Sequence, residues 1–196
     1  MEQCYVALAN GMDLVSRLPG NALLLGEMGI GNTSAASLLM SKLMEIDIEL
    51  CTGAGTGLDC EAVIRKVEVL RRVLECHSCV NHPVQILADL GGFEIATMVG
   101  AIWQAAAERR LILVDGFITT SAVMIAAALR PAVLQRCVFA HCSGERGHAL
   151  MLTHLDATPL LDLGMRLGEG SGAALAWPLV VSACALLNDM ASFDLA

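Results

Sequence analysis

This chain is short of aromatic residues and of positive charge, and each shortage excludes something. Among 196 residues there are two Trp, one Tyr and four Phe. The apolar mass is instead Ala, Leu, Val, Ile and Met, which favours helices packed on a buried sheet over a β-sandwich. Twelve Lys and Arg stand against twenty Asp and Glu, a net charge of −8. A general nucleic-acid-binding role needs cationic faces and is excluded. The nucleotide signatures are missing too: there is no Gly-Lys-Ser/Thr ending of a P-loop and no G-x-G-x-x-G. No G-x-S-x-G elbow frames Ser143, which argues against a serine hydrolase built on Ser143, His141 and Glu145.

Two further absences bear on compartment and metal. The first twenty residues include Glu2, Asp13 and Arg17, so no secretory signal is read there. The eight cysteines then read as reduced, mostly buried thiols in a cytoplasmic protein. Cys76-His77-Ser78-Cys79, with His82 nearby, has the make-up of half a zinc site. A second ligand pair at finger spacing is missing, and no metal is expected. Residues 170–188 carry no charge and are long enough to cross a bilayer. They also hold Pro178, Ser182 and several small residues, without a basic flank. A buried Ala-rich helix is therefore the expectation, and no membrane association.

The most informative stretch that is present is Gly26-Glu27-Met28-Gly29-Ile30-Gly31-Asn32-Thr33-Ser34. It follows a strand candidate at 22–25 and opens a helix near Asn32 or Thr33. Strand, glycine loop and helix N-terminus together make an anion site, because the backbone can approach closely and free N–H groups point outward. Gly29, Gly31 and Asn32 are candidate substrate contacts on this ground. Glu27 would repel a phosphate beside it, so the reacting centre rather than the phosphate belongs near it. The plain alternative is a tight turn with Glu27 in solvent.

Periodicity organises the rest. A helix is expected over 1–18, then the strand at 22–25 and a helix to about residue 44. Residues 46–51 read as a second strand, and 52–57 as a second glycine loop containing Gly55. Asp59 is a helix N-cap candidate. A short helical turn is expected at 84–90 and an amphipathic helix at 94–109. Residues 111–114 are the clearest buried strand, ending at Asp115-Gly116. A helix opening at Thr119 or Ser121 and a strand at 137–140 follow. Strands alternating with helices imply an α/β fold: a mainly parallel sheet flanked by helices, Rossmann-like. Ligands then bind beyond the carboxyl ends of the strands, where loops at 26–33, 53–59, 115–119 and 141–148 converge.

Of the polar residues in those loops, Glu169 sits between Gly168 and Gly170 before an apolar helix. Apolar walls would raise its pKa toward that of a general base, while the alternative is a carboxylate favoured by the helix dipole. Lys66 shares its helix with Arg65, Arg71 and Arg72. That pattern fits a solvated face, though Lys66 can also reach a phosphate. Asp115 either contacts a ligand or caps the next helix.

Several long motifs occur in one order: the 26–33 loop, Gly91-Gly92-Phe93-Glu94-Ile95-Ala96, Asp115-Gly116-Phe117-Ile118, His141-x-Ser143-x-Glu145-x-Gly147-His148, and residues 159–173. Together they resemble the nicotinate-nucleotide:dimethylbenzimidazole phosphoribosyltransferase family of cobalamin nucleotide-loop assembly, over nearly the whole chain. The resemblance implies that nicotinate mononucleotide gives its phosphoribosyl group to a benzimidazole nitrogen, with inversion at the anomeric carbon. It implies Glu169 as general base and Glu27 as a second carboxylate near the reacting centre. It places Gly29, Gly55, Lys66, Gly116 and Ser143 around the phosphate and ribose. No metal or redox cofactor is implied; a homodimer is.

The chain departs from the family at Ala54, where an arginine is usual, and in lacking the family's N-terminal segment. Residues 1–155 are then read as the α/β core. Residues 156–196 are read as a C-terminal helical segment carrying Glu169, with remnants of a small helical second domain. The alternative is a shortened, non-catalytic relative that only binds nucleotide.

Overall fold

A computed structural model of the chain describes residues 1–55 and 57–190, so Thr56 of the second glycine loop lies outside it. Three parallel strands form the sheet in the order β1 (Ala22–Leu24), β2 (Leu111–Val114), β3 (Cys137–Phe139). Leu23 pairs with Ile112, and Leu113 with Val138. β2 is central, and Ile112, Leu113 and Val114 are fully buried. A strand covered on both faces has no reason to alternate, which is why 111–114 is a continuous apolar run.

Its two faces meet different helices. Ile112 and Val114 join the main core, and Leu113 joins a smaller cluster with Ala140, Ala173 and Ala176. The main core is built by α1 (Glu2–Arg17), α2 (Thr33–Met44), α5 (Pro83–Leu90), α6 (Phe93–Ala107) and α7 (Phe117–Leu129). α1 lies against α6 so closely that a β-carbon at Gly11 would run into the carbonyl of Thr97, and one at Gly100 into that of Leu8. Glycine at both positions is what permits that contact. α3 (Ile48–Cys51) and α4 (Cys60–Cys76) carry the chain past the second glycine loop, and α8 (His148–His154) and α9 (Ser171–Asp189) complete it.

Several expectations need correction. Residues 46–51 are not a strand: Asp47 accepts a hydrogen bond from the Glu49 N–H (2.8 Å) and starts the one-turn helix α3. The helix after β2 opens at Phe117, ahead of Thr119. α6 is apolar on more than one side, because it lies between α1 and α7. Residues 131–136 form a 3-10 turn, and His148 opens a further helix.

The largest difference concerns α9. Gly172, Ala173 and Ala176 are buried against the sheet, but the helix beyond residue 180 is exposed, with Leu186 61% and Leu187 86% accessible. Its length and apolarity are enough to cross a membrane, yet its first turns are docked on β2 and β3. The cysteines also differ from expectation. All eight are free; Cys4 and Cys51 are buried, whereas Cys60, Cys76, Cys79 and Cys184 are exposed. Burial pushes the thiols of Cys51 and Cys137 up to about 12, which makes them unreactive.

Candidate active site

The loops leaving the carboxyl ends of all three strands gather around one cavity of about 290 Å³. From beyond β1 come Glu27, Met28, Ile30, Asn32 and Thr33, and from beyond β2 Asp115, Gly116 and Phe117. From beyond β3 come His141, Ser143 and Glu145, and a return segment supplies Met165 to Glu169. That segment is held beside β3 by Leu160 N–H to Phe139 O (2.9 Å) and Leu161 N–H to Ala140 O (3.0 Å). Gly55 of the second glycine loop also lines the cavity, although the loop follows a helix instead of a strand.

Glu169 stands on an unusual turn. Gly168 (φ +88°), Glu169 (φ +62°) and Gly170 (φ +81°) are consecutively left-handed. Glycine adopts this freely, but the glutamate's conformation costs on the order of 1–2 kcal/mol. The turn is fastened from β2. Buried Asp115 accepts the Gly170 N–H at 3.1 Å and the Ala173 N–H at 3.0 Å, capping a helix whose N-cap glycine has no side chain to do so.

Glu27 is also pre-arranged. Its Oε2 accepts the Gly29 N–H at 2.8 Å and the Asn32 side-chain amide, so the carboxylate ties the glycine loop together. Asn32 begins α2 without capping it, because its side chain is turned to Glu27. Lys66 is not a surface residue. It is half-buried, and its Nζ donates to Thr33 Oγ1 (2.9 Å) and Gly53 O (3.5 Å), joining the two glycine loops. Desolvation draws its pKa below the usual lysine value, opposed by the carboxylate of Glu145. Arg166 lies 3.7 Å from Glu145, so two cations share one carboxylate at this end of the cavity.

A buried histidine pair supports the floor. His148 Nδ1 accepts the Ser143 N–H (2.8 Å), so the ring proton is on Nε2, which donates to Thr120 Oγ1 (2.9 Å). Thr120 in turn donates to Gly116 O (2.8 Å). This chain joins two wall residues, Ser143 and Gly116. Burial, with His141 adding to it, drives the His148 pKa down to about 3, so the ring is neutral. His141 Nε2 lies 3.7 Å from Asp115 Oδ1. Neither ring nitrogen of His141, nor Ser143 Oγ, has a hydrogen-bond partner among the described residues. Because Ser143 Oγ is not bonded to a histidine, no hydrolytic triad is assembled.

Of the residues singled out from sequence, Glu27, Asn32, Gly55, Asp115, Gly116, Ser143 and Glu169 line the cavity. Gly29, Gly31 and Lys66 do not line it: the two glycines are exposed to solvent, and half-buried Lys66 touches it through Thr33. Sequence reading missed Thr33, Phe117 and Arg166 as wall residues. Arg166 had a signal, as the cation three positions before Glu169. At residues 76–82, the His77 ring is hydrogen-bonded to Val73 O, and among the described residues no three His, Cys, Asp or Glu side chains are grouped to hold a metal.

The family model described as a phosphoribosyltransferase matches residues 1–196. A nicotinate-nucleotide–dimethylbenzimidazole phosphoribosyltransferase of Variovorax paradoxus is 62% identical over 195 residues, covering 100% of this chain and 56% of that protein. The enzyme of the same name from Cupriavidus taiwanensis is 53% identical, covering 98% of this chain and 57% of its own length. Among solved structures, CobT from Thermus thermophilus superposes with a TM-score of 0.94 at 34% identity, over 99% of this chain and 59% of that one. The chain thus spans somewhat more than half the length of the relatives it matches.

Proposed function

This chain belongs to the phosphoribosyltransferase family, and on that premise we propose that it moves the phosphoribosyl group of nicotinate mononucleotide to dimethylbenzimidazole. The products are α-ribazole phosphate and nicotinate. Glu169 takes the benzimidazole N–H proton as the ring nitrogen attacks the anomeric carbon. The bond from that carbon to nicotinate breaks on the opposite side, and Glu27 faces the positive charge that develops on the sugar. The phosphate is held at the end defined by Lys66, Gly55, Gly116 and Ser143, with Gly29, Gly31 and Asn32 shaping the loop beside it.

One observation carries this reading: two carboxylates from distant parts of the chain, Glu27 and Glu169, open into the same cavity. Each sits on a turn whose backbone is pinned, and a cation pair lies at one end for an anionic substrate. Residues 1–155 supply the sheet and the phosphate end, and residues 156–196 the base. The exposed apolar side of α9 is in keeping with a homodimer in the cytoplasm, which sedimentation of the purified chain would test.

The deciding experiment is incubation of the purified chain with nicotinate mononucleotide and a series of benzimidazoles and phenols, reading riboside phosphate and free nicotinate. Nicotinate release that requires both substrates supports the transferase. Calorimetric nucleotide binding without any product would overturn it in favour of a binding-only protein.

A further inference from the structure

Asp115 reads from sequence as a substrate contact or as a cap for the helix that follows it, but its surroundings give it a different task. It is 4% exposed, and each of its oxygens accepts a backbone N–H from the start of α9. A β-carbon on Gly172 would lie 2.7 Å from Asp115 Oδ1 and would also strike the His141 ring, so the carboxylate is closed in on that side too. It has no freedom to swing out toward a ligand.

What it holds is the turn bearing Glu169. Locally that turn has a single backbone bond across it, Ser171 N–H to Gly168 O (3.0 Å); Gly168 and Gly170 flank the glutamate, and the N-cap position offers no side chain. A left-handed glutamate persists only where its surroundings over-determine it. Here the fixed points are Asp115 on one side and the backbone of Gly26 on the other, where a β-carbon would lie 2.6 Å from the Glu169 carbonyl carbon. We propose that Asp115 is a positioning residue: its carboxylate, rooted in β2, aims Glu169 into the cleft by capping α9 from outside the helix. The inference rests on the reading of Glu169 as the proton acceptor.

Asp115→Asn keeps the size and one acceptor but turns an N–H₂ toward a backbone N–H. In the intact chain, the Gly170 and Ala173 amides should exchange with solvent as slowly as other capped amides. In the variant they should exchange at least about tenfold faster, with Ile112 and Leu113 unchanged. Turnover should fall about a hundredfold, with KM for nicotinate mononucleotide within about twofold. In a Glu169→Gln background the same substitution should cost less than about threefold, since it acts through the group already removed.

A raised KM at unchanged kcat would make Asp115 a substrate contact and overturn the proposal. So would full additivity with Glu169→Gln, or unprotected Gly170 and Ala173 amides in the intact chain. That last measurement needs no variant to fold and no turnover. An inactive chain therefore counts against the transferase reading without deciding the role of Asp115.

Discussion

Gly26 and Glu169 meet backbone to backbone at the rim of the cleft. This contact joins the loop that carries Glu27 to the turn that carries Glu169, and so fixes how far apart the two carboxylates stand. Gly26→Ala would wedge a methyl into peptide atoms that have nowhere to move. The expected result is a loss of about 1–3 kcal/mol in urea unfolding. Turnover should fall by more than that loss of folded protein explains, as measured at a temperature where the variant is fully folded.

Glu169→Gln should lower kcat at least about a hundredfold while leaving nucleotide binding nearly unchanged. Glu169→Gly should be equally inactive yet more stable than the parent by about 1 kcal/mol, because it releases the left-handed strain. Thermal melts of the two variants side by side check the pair of effects. A less stable Gly variant would mean that the glutamate side chain contributes more than its backbone costs.

Lys66→Ala should raise KM for nicotinate mononucleotide about tenfold or more, the size of one lost charge-assisted hydrogen bond, with kcat little changed. Lys66→Arg should not restore it, since a planar guanidinium does not fit the Thr33–Gly53 pair that receives the ammonium. Steady-state kinetics with varied nucleotide gives the answer directly.

His148 makes stability depend on pH. Its folded pKa, about 3, lies below the ordinary histidine value of 6.5, so the unfolded chain binds more protons between those limits. Stability is therefore full above about pH 6.5 and declines as pH falls toward about 3. This one group should remove about 2 kcal/mol between about pH 7.5 and pH 5. Denaturant titrations of the parent and of His148→Gln should show that slope in the first and its loss in the second.

Charging the free half of α9 should leave the fold intact. Leu186→Glu with Leu187→Lys should change the unfolding free energy of the monomer by less than about 0.5 kcal/mol, because both side chains are exposed on it, while weakening the homodimer proposed above. Solubility should rise, read as the protein concentration at which turbidity appears.

Much of the fold was legible in the sequence for local reasons. A buried parallel strand is a continuous apolar run, and 111–114 is one; Asp59 caps α4 by accepting the Ala62 N–H (2.8 Å), as a cap residue before an apolar period should. Residues 46–51 misled because a short apolar run fits strand or helix equally, and Asp47 decided it. Asp115 is instructive in a different way. A capping role was one of its two readings, but it caps α9, far along the chain, and not the helix that follows it. Which helix a carboxylate caps depends on tertiary approach, which spacing does not encode. The same holds for the His141–His148 floor and for α9, whose composition announces an apolar helix but not how much of it finds a neighbour.

The register of the sheet has a kinetic consequence. β1 has no partner nearby in sequence: Leu23 must wait for Ile112, which arrives only after α2 through α6 have been laid down. The glycine loop is therefore anchored only at its α2 end until that late closure, and the rim at Gly26 cannot form before the C-terminal turn has come back across β3. Refolding should be slow for a domain this size, in roughly the millisecond-to-second range typical of non-local topologies. Ligand binding should be the last property to return, after helical signal has recovered.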